Sequence, residues 1–309
     1  GDLSVKLGQP SVLGKLIVGI VIGPAVLGWI EPSEFIDTFS QIGVLLLMFI
    51  AGLETDVQEL NRNRNASLAV AVGGVILPFV GGYLSGIAIG MEQAYAIFLG
   101  LILSATSVSI TVQTLKDLGQ LNTRESTTIL GAAVADDVLV VVLLAFVMSF
   151  LVGGDVSLSS VVFKKIIFFV TIVLIGWKLV PPLLRWLAPL KVTESVISAA
   201  FIVCMSFAYY AELLGITGII GAFAAGIAIS QTKYKEEVEQ KIEPIAYAVF
   251  VPVFFVSIGL SVSFEGIGEQ IWFIFALTLI AIFTKLIGCG LGARVTGFNT
   301  RSSFAIGAG

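Results

Sequence analysis

The chain has 309 residues, of which 57% are hydrophobic and only 12% are charged. A soluble domain usually carries about 25% charged residues, so this composition predicts a polytopic membrane protein. The net charge of −4 argues against nucleic-acid binding, and the complete absence of histidine excludes Ser-His-Asp and Cys-His active sites.

Ten stretches of the sequence are long and apolar enough to cross a membrane, since a spanning helix needs about 20 mostly apolar residues. In chain order they cover residues 10–30, 36–54, 66–90, 93–115, 127–152, 161–187, 194–213, 216–231, 244–262 and 269–293, and an eleventh begins near residue 303. We therefore expect an all-α polytopic fold. Because the chain starts at Gly1 and stops inside an apolar stretch, we also expect a fragment that lacks N-terminal and C-terminal helices.

The connections between these stretches alternate in charge. Lysine and arginine lie in the connections 55–65, 116–126, 188–193 and 232–243, whereas acidic residues dominate the intervening ones. Because basic connections stay in the cytoplasm, the alternation predicts a multi-pass membrane protein with these connections inside. We expect it in the cell (plasma) membrane, a prokaryotic inner membrane. The sequence contains no P-loop and no dinucleotide fingerprint, so we expect no cofactor and infer that any transport is driven by an ion gradient.

Three charges lie far inside predicted spans. Asp136 and Asp137 follow Thr127 by nine and ten residues, a depth of roughly 13 Å, and Lys285 lies at a similar depth before Arg294. A charge near the bilayer centre costs at least about 2.5–3.5 kcal/mol, so we expect a buried Lys285–aspartate pair. Neighbouring helical residues point about 100° apart, so the two aspartates need not share one role.

The fourth span contains the densest group of hydroxyl side chains, in the stretch SATSVSITVQT. Its members are Ser104, Thr106, Ser107, Ser109 and Thr111. Hydroxyls and opened backbone carbonyls are oxygen ligands for a hard cation, and transporters form such sites where a helix is broken near the midplane. The alternative is a helix that packs through small polar residues.

The remaining polar residues of the spans carry weaker signals. Cys204 and Cys289 lie in apolar runs and suggest small core or lipid-facing side chains rather than a disulfide or metal site. Glu54, Glu212 and Glu243 lie at span ends, where we interpret them as interfacial residues.

Taken in order, several motifs make the chain resemble a known family, the monovalent cation:proton antiporters of the NapA/Kef-like branch. The matching stretches are QPSVLGKLIVGIVIGPAVLG, GVLLLMFIAGLETD, SATSVSIT, GAAVADDV, VPVFFVSIGLSV and the Lys285 segment through GARVTGFN. The resemblance covers essentially the whole chain.

This resemblance implies a fold of inverted repeats with crossed, discontinuous helices, in which one N-terminal helix and most of the final repeat are missing here. It further implies a homodimer that works by alternating access and serves pH homeostasis. On the family's map, residues 1–309 form one transport domain. Residues 1–60 and about 160–240 would be dimerisation and scaffold helices, and residues about 66–152 and 244–309 would form the ion-carrying core.

Carried over residue by residue, the resemblance makes Asp137 the main cation and proton carrier and Asp136 the partner of Lys285. Thr106 and Ser107 would lie at the unwound crossing, and Na⁺ would bind at Asp137 and Asp136. An Asp-Asp pair with an intramembrane lysine is similar to the electrogenic exchangers of the family.

The expected function is therefore exchange of cytoplasmic Na⁺, or Li⁺ or K⁺, for external H⁺ across the lipid bilayer. A carboxylate binds either a proton or a cation, and this competition couples the two fluxes. The alternatives are a K⁺/H⁺ antiporter or ligand-gated K⁺ efflux protein, a passive channel, and an intramembrane aspartyl protease. The protease is disfavoured because adjacent aspartates on one helix diverge rather than face each other.

Overall fold

The computed structural model describes residues 4, 6, 9–151, 158–190, 193–264 and 267–309, and within these ranges the ordered elements are all helices. Residue 152, which ends the predicted fifth span, and residues 191 and 192 of a predicted cytoplasmic connection lie outside them. The helices are α1 (Ser11–Ile22), α2 (Glu34–Glu54), α3 (Val57–Arg62), α4 (Arg64–Ala88), α5 (Gln93–Ser104), α6 (Val108–Asp117), α7 (Arg124–Leu151), α8 (Leu158–Lys178), α9 (Val180–Leu187), α10 (Ser195–Leu213), α11 (Gly218–Ser230), α12 (Lys235–Ile245), α13 (Val251–Leu260), α14 (Ile267–Val295) and α15 (Thr300–Ala308), with a π-helical turn, Ala246–Phe250, between α12 and α13.

Seven helical stretches of the described residues are long and apolar enough to cross a membrane. They are Glu34–Glu54, Arg64–Ala88, Gln93–Asp117, Phe163–Leu187, Ser195–Leu213, Lys235–Leu260 and Gln270–Val295. Two shorter apolar helices, α1 and α11, accompany them. The predicted all-helical, multi-pass membrane class is confirmed, whereas the count of about ten spans stays a prediction.

Helix starts follow the local sequence. The Ser33 side chain accepts a hydrogen bond from the Ile36 backbone amide, and Asp56 accepts from the amides of Gln58 and Glu59, so α2 and α3 each begin after a side-chain N-cap. Such a cap binds backbone N–H groups that have no partner within the helix itself.

The chain divides into two compact units. Unit 1 comprises Gly1–Thr55, Val112–Gly119 and Lys165–Glu265. Inside it, α2 packs against α11 and α13, and α11 also packs against α10. Gly52 and Gly226 let the backbones of α2 and α11 touch, since a Cβ atom on Gly226 would lie 2.1 Å from the Phe49 carbonyl oxygen.

Unit 2 comprises Asp56–Thr111, Gln120–Lys164 and Gly266–Gly309. Its central helix is α4, which packs against α5, α7 and α14. Gly73 and Gly288 mark the closest approach of α4 and α14, because a Cβ atom on Gly73 would lie 2.1 Å from the Gly288 carbonyl oxygen. This packing fixes the position of α14, the helix that carries Lys285, along its axis relative to α4.

Candidate cation site

The helix that carries the hydroxyl-rich stretch is interrupted. α5 ends at Ser104, α6 begins at Val108, and Ala105 to Ser107 between them are not helical. The Ser104 hydroxyl lies 3.0 Å from the carbonyl oxygens of both Val75 and Gly100, which fixes the end of α5 against α4. The interruption exposes backbone polar groups in the middle of an apolar span, a location that is stable only beside protein or water.

Lys285 of α14 reaches this interruption. Its ammonium group donates to the Ser104 carbonyl oxygen at 2.6 Å and to the Thr106 hydroxyl. The same nitrogen lies 3.7 Å from Asp136 Oδ2 on α7. The structure thus brings together Lys285, Thr106 and Asp136, which were singled out from the sequence.

Asp136 has the environment of an ion ligand. The residue is 3% exposed, and neither of its carboxylate oxygens accepts a hydrogen bond from the described residues. At 3.7 Å, Lys285 supplies charge but no hydrogen bond. A buried carboxylate with unused acceptor capacity is costly unless another group binds it, so its oxygens are available to a cation or a proton.

A cavity of about 620 Å³ lies within unit 2 and opens onto these groups. Its polar lining residues are Thr106, Ser107, Thr111, Asp136, Lys285 and Cys289. One water molecule occupies about 30 Å³ of liquid, so this space admits an alkali ion together with several waters. Hydroxyl groups, one carboxylate and an ammonium group therefore line one cavity inside an apolar helix bundle, and this cavity is large enough to hold water.

Asp137 takes a different position from its neighbour. It is half-buried, and it is not among the described residues that line this cavity. Neighbouring positions on a helix point about 100° apart, which explains why one aspartate faces the cavity and the other does not.

Cys289 was interpreted from the sequence as a core or lipid-facing residue, but its half-buried side chain lines the cavity one helical turn after Lys285. A spacing of four residues from an intramembrane lysine places a side chain on the same helix face. That spacing was the available signal, and the apolar composition around Cys289 concealed it.

A second charged group, which we call the Lys116 cluster, lies in unit 1. It consists of Lys116 on α6, Glu54 at the end of α2, and Glu239, Glu243 and Tyr247. Lys116 Nζ lies 2.5 Å from Glu54, 2.8 Å from Glu243 and 4.7 Å from the centre of the Tyr247 ring. Carboxylate oxygens of the three glutamates lie within 4.8 Å of one another. Glu54 and Glu243 are interpreted from the sequence as separate interfacial residues, and the sequence does not predict this group.

The family description "Sodium/hydrogen exchanger, transmembrane" matches residues 3–309 of the chain. The chain belongs to the sodium/hydrogen exchanger family. This membership confirms the resemblance stated from the sequence motifs, and it places the protein among transporters rather than enzymes.

Among relatives within the exchanger family, the chain is 72% identical to the Na(+)/H(+)-K(+) antiporter GerN of Bacillus cereus over 309 residues, which is 100% of this chain and 80% of the relative. It is 44% identical to the Na(+)/H(+) antiporter of Enterococcus hirae, over 99% of this chain and 81% of that protein. The exchanger fold also matches the solved structure of the sodium proton antiporter MjNhaP1 from Methanocaldococcus jannaschii. The TM-score is 0.64 at 15% identity, over 99% of this chain and 80% of that one.

Proposed function

We propose that the protein exchanges Na⁺ for H⁺ across a membrane through the cavity of unit 2. The observation that carries this proposal is Asp136, whose two buried oxygens have no hydrogen-bond partner among the described residues and which lines a cavity together with hydroxyl groups and Lys285. The names of its relatives, a Na(+)/H(+)-K(+) antiporter and a Na(+)/H(+) antiporter, agree with this chemistry.

The exchange rests on competition for the carboxylates. A proton and Na⁺ each neutralise one negative charge, so a carboxylate carries one or the other and not both. An ionised carboxylate is too costly to move through hydrocarbon alone, so the loaded site crosses only when its charge is neutralised. The two opposite fluxes are then coupled without any chemical energy source.

The residues take different roles in this proposal. Asp137, the neighbour of the cavity residue Asp136 but not itself a lining residue, is assigned as the main carrier of the cation and the proton on the family motif alone, and Asp136 is the partner of Lys285. Thr106 and Ser107 supply oxygen ligands at the interrupted helix. When Na⁺ displaces Lys285 from Asp136, the lysine releases its own proton, and this second proton makes the exchange electrogenic.

The wider architecture is also a proposal. Unit 2 would carry the ion. About ten spans would form two inverted repeats with crossed, discontinuous helices. Two copies of the chain would assemble into a homodimer in the plasma membrane. The interruption between α5 and α6 supports the discontinuous helix of one repeat.

K⁺ is the second candidate substrate, because one relative is a Na(+)/H(+)-K(+) antiporter. A vesicle assay distinguishes Na⁺ from K⁺ as the transported cation. Purified full-length protein is placed in vesicles that contain a pH-sensitive dye, and a pH gradient is imposed across their membrane. Dequenching upon addition of Na⁺ or Li⁺, but not K⁺, supports Na⁺/H⁺ exchange. An equal response to K⁺ supports exchange of either cation, and a response to K⁺ alone supports a K⁺/H⁺ antiporter. Ion flux without any proton movement would refute antiport and favour a channel.

A further inference from the structure

Cys289 places a thiol in the cavity of unit 2. It lies one helical turn after Lys285 on α14, and its sulfur lies against α4, where a Cβ atom on Gly74 would come within 2.7 Å of it. The side chain is half-buried, and Cys289 is one of the residues that line the open space.

A second residue of the same cavity, Asp136, indicates independently of Cys289 that a cation binds there. Asp136 is 3% exposed, lines the cavity, and has two carboxylate oxygens with no hydrogen-bond partner among the described residues. A cation that enters to approach Asp136 therefore occupies the same space as the Cys289 thiol.

We propose that Cys289 makes this cavity a capture site for Ag⁺, a soft monovalent cation that enters as an alkali ion does and is then retained by sulfur. Ag⁺ has the single charge of Na⁺ and K⁺ and an ionic radius between theirs, so the oxygen ligands admit it. Hard oxygen ligands release alkali ions readily, whereas thiolate sulfur binds soft metals tightly. The inference rests on the proposed function, since it takes the cavity to be the route of the transported ion.

The capture step is a simple substitution at sulfur. The S–H bond of Cys289 breaks, an S–Ag bond forms, and the proton leaves to water in the cavity. No electron is transferred, and the net charge of the site is unchanged once the proton has left. The silver thiolate then remains where Na⁺ has to pass.

The second cysteine provides a matched control. Cys204 lies on α10 in unit 1 and is 0% exposed, and the chain contains only these two cysteines. Cys204→Ser leaves Cys289 as the single thiol, and Cys289→Ser leaves Cys204, so each variant reports on one site.

The test uses full-length protein in vesicles, exposed to micromolar silver nitrate in chloride-free buffer and then freed of unbound Ag⁺. Exchange is expressed relative to the untreated rate of the same variant. We expect Ag⁺ to reduce it by about tenfold in the unmodified protein and in Cys204→Ser, and to have little effect in Cys289→Ser. Saturating Na⁺ present during exposure should slow the loss.

A thiol count supplies a readout that does not depend on transport. After silver treatment, the protein is denatured and its free thiols are labelled with a maleimide. We expect Cys289 to be blocked in Cys204→Ser and Cys204 to stay free in Cys289→Ser. A free Cys289 after treatment, or a blocked Cys289 that Na⁺ does not protect, overturns the inference. If the untreated protein moves no protons in any salt, the proposed function fails, while the thiol count still decides whether Ag⁺ reaches Cys289.

Discussion

At the scale of single residues, the site depends on how one ammonium group is shared. Lys285 contacts a backbone carbonyl at the end of α5, a hydroxyl in the interruption after it and the Asp136 carboxylate on α7. An ammonium group has three N–H donors, of which the carbonyl and the hydroxyl take two, whereas Asp136 at 3.7 Å receives only its charge. Its loss affects both the charge of Asp136 and the end of α5.

Asp137→Asn should abolish Na⁺/H⁺ exchange, because an amide cannot carry a proton in exchange for a cation. The pH-gradient assay in vesicles measures this directly. Glu92→Gln is the control, since it removes one carboxylate from an exposed residue that precedes α5, and it should retain exchange. Exchange at a normal rate in Asp137→Asn would assign the carrier role to another residue, and Asp136→Asn is then the variant to examine.

Lys285→Ala should lower the free energy of unfolding by about 1–3 kcal/mol, since it leaves Asp136 buried without its counter-charge. Thermal unfolding in detergent measures the loss. The double variant Lys285→Ala/Asp136→Asn should recover part of it, because no uncompensated charge remains. Equal stability of the single variant and the unmodified protein, together with an unchanged number of charges moved per cycle, would show that the pair has no role.

At the scale of helices, the Lys116 cluster joins α2, α6 and α12 in unit 1. Lys116→Met keeps most of the length of the side chain but removes the ammonium group that contacts Glu54 and Glu243, which lie close to a third carboxylate. We expect a loss of about 2 kcal/mol in the free energy of unfolding near neutral pH, between the values typical of exposed and buried pairs.

The loss in Lys116→Met should shrink as the pH falls, because protonated carboxylates no longer repel one another. Lys116→Arg keeps the charge and is the matched control. Denaturation curves at two pH values measure both effects. A loss that is independent of pH would mean that Lys116 acts through packing alone.

Helix contact also determines where α14 holds Lys285. A Cβ atom on Gly288 would lie 2.2 Å from the Gly73 carbonyl oxygen, whereas one on Gly268, near the start of the same helix, would meet nothing within 4 Å. Gly288→Ala should therefore separate α4 from α14, cost about 1–3 kcal/mol and slow exchange, whereas Gly268→Ala should do neither. Thermal unfolding and the vesicle assay compare the two variants, and similar behaviour of both would contradict the assigned contact.

Much of this arrangement follows from the sequence, for identifiable reasons. The helical class follows from apolar length, and the approach of Lys285 to Asp136 follows from the cost of burying unpaired charges at matching depth. The rotation of α7 does not follow, because small differences in packing decide whether Asp136 or Asp137 faces the cavity. The Lys116 cluster was missed because Glu54 and Glu243 lie far from Lys116 in sequence, and each resembles an ordinary interfacial residue.

At the scale of the whole molecule, the proposed function has cation and proton compete for one transport site. Raising the proton concentration should therefore raise the apparent KM for Na⁺ while the maximal rate at saturating Na⁺ changes much less. Initial rates of Na⁺-driven proton movement in vesicles, measured over a range of Na⁺ concentrations at several pH values, test this. An apparent KM that does not change with pH would indicate separate sites for the two ions.

The interruption after Ser104 has a consequence for the electrostatics of the span. A helix that stops within the membrane ends in unpaired carbonyl groups and a partial negative charge of its macrodipole. The Lys285 ammonium binds the last of these carbonyls from a neighbouring helix, and so provides α5 with a positively charged C-terminal cap. A variant without this ammonium therefore loses the counter-ion of a carboxylate and the cap of a half-helix in a single change.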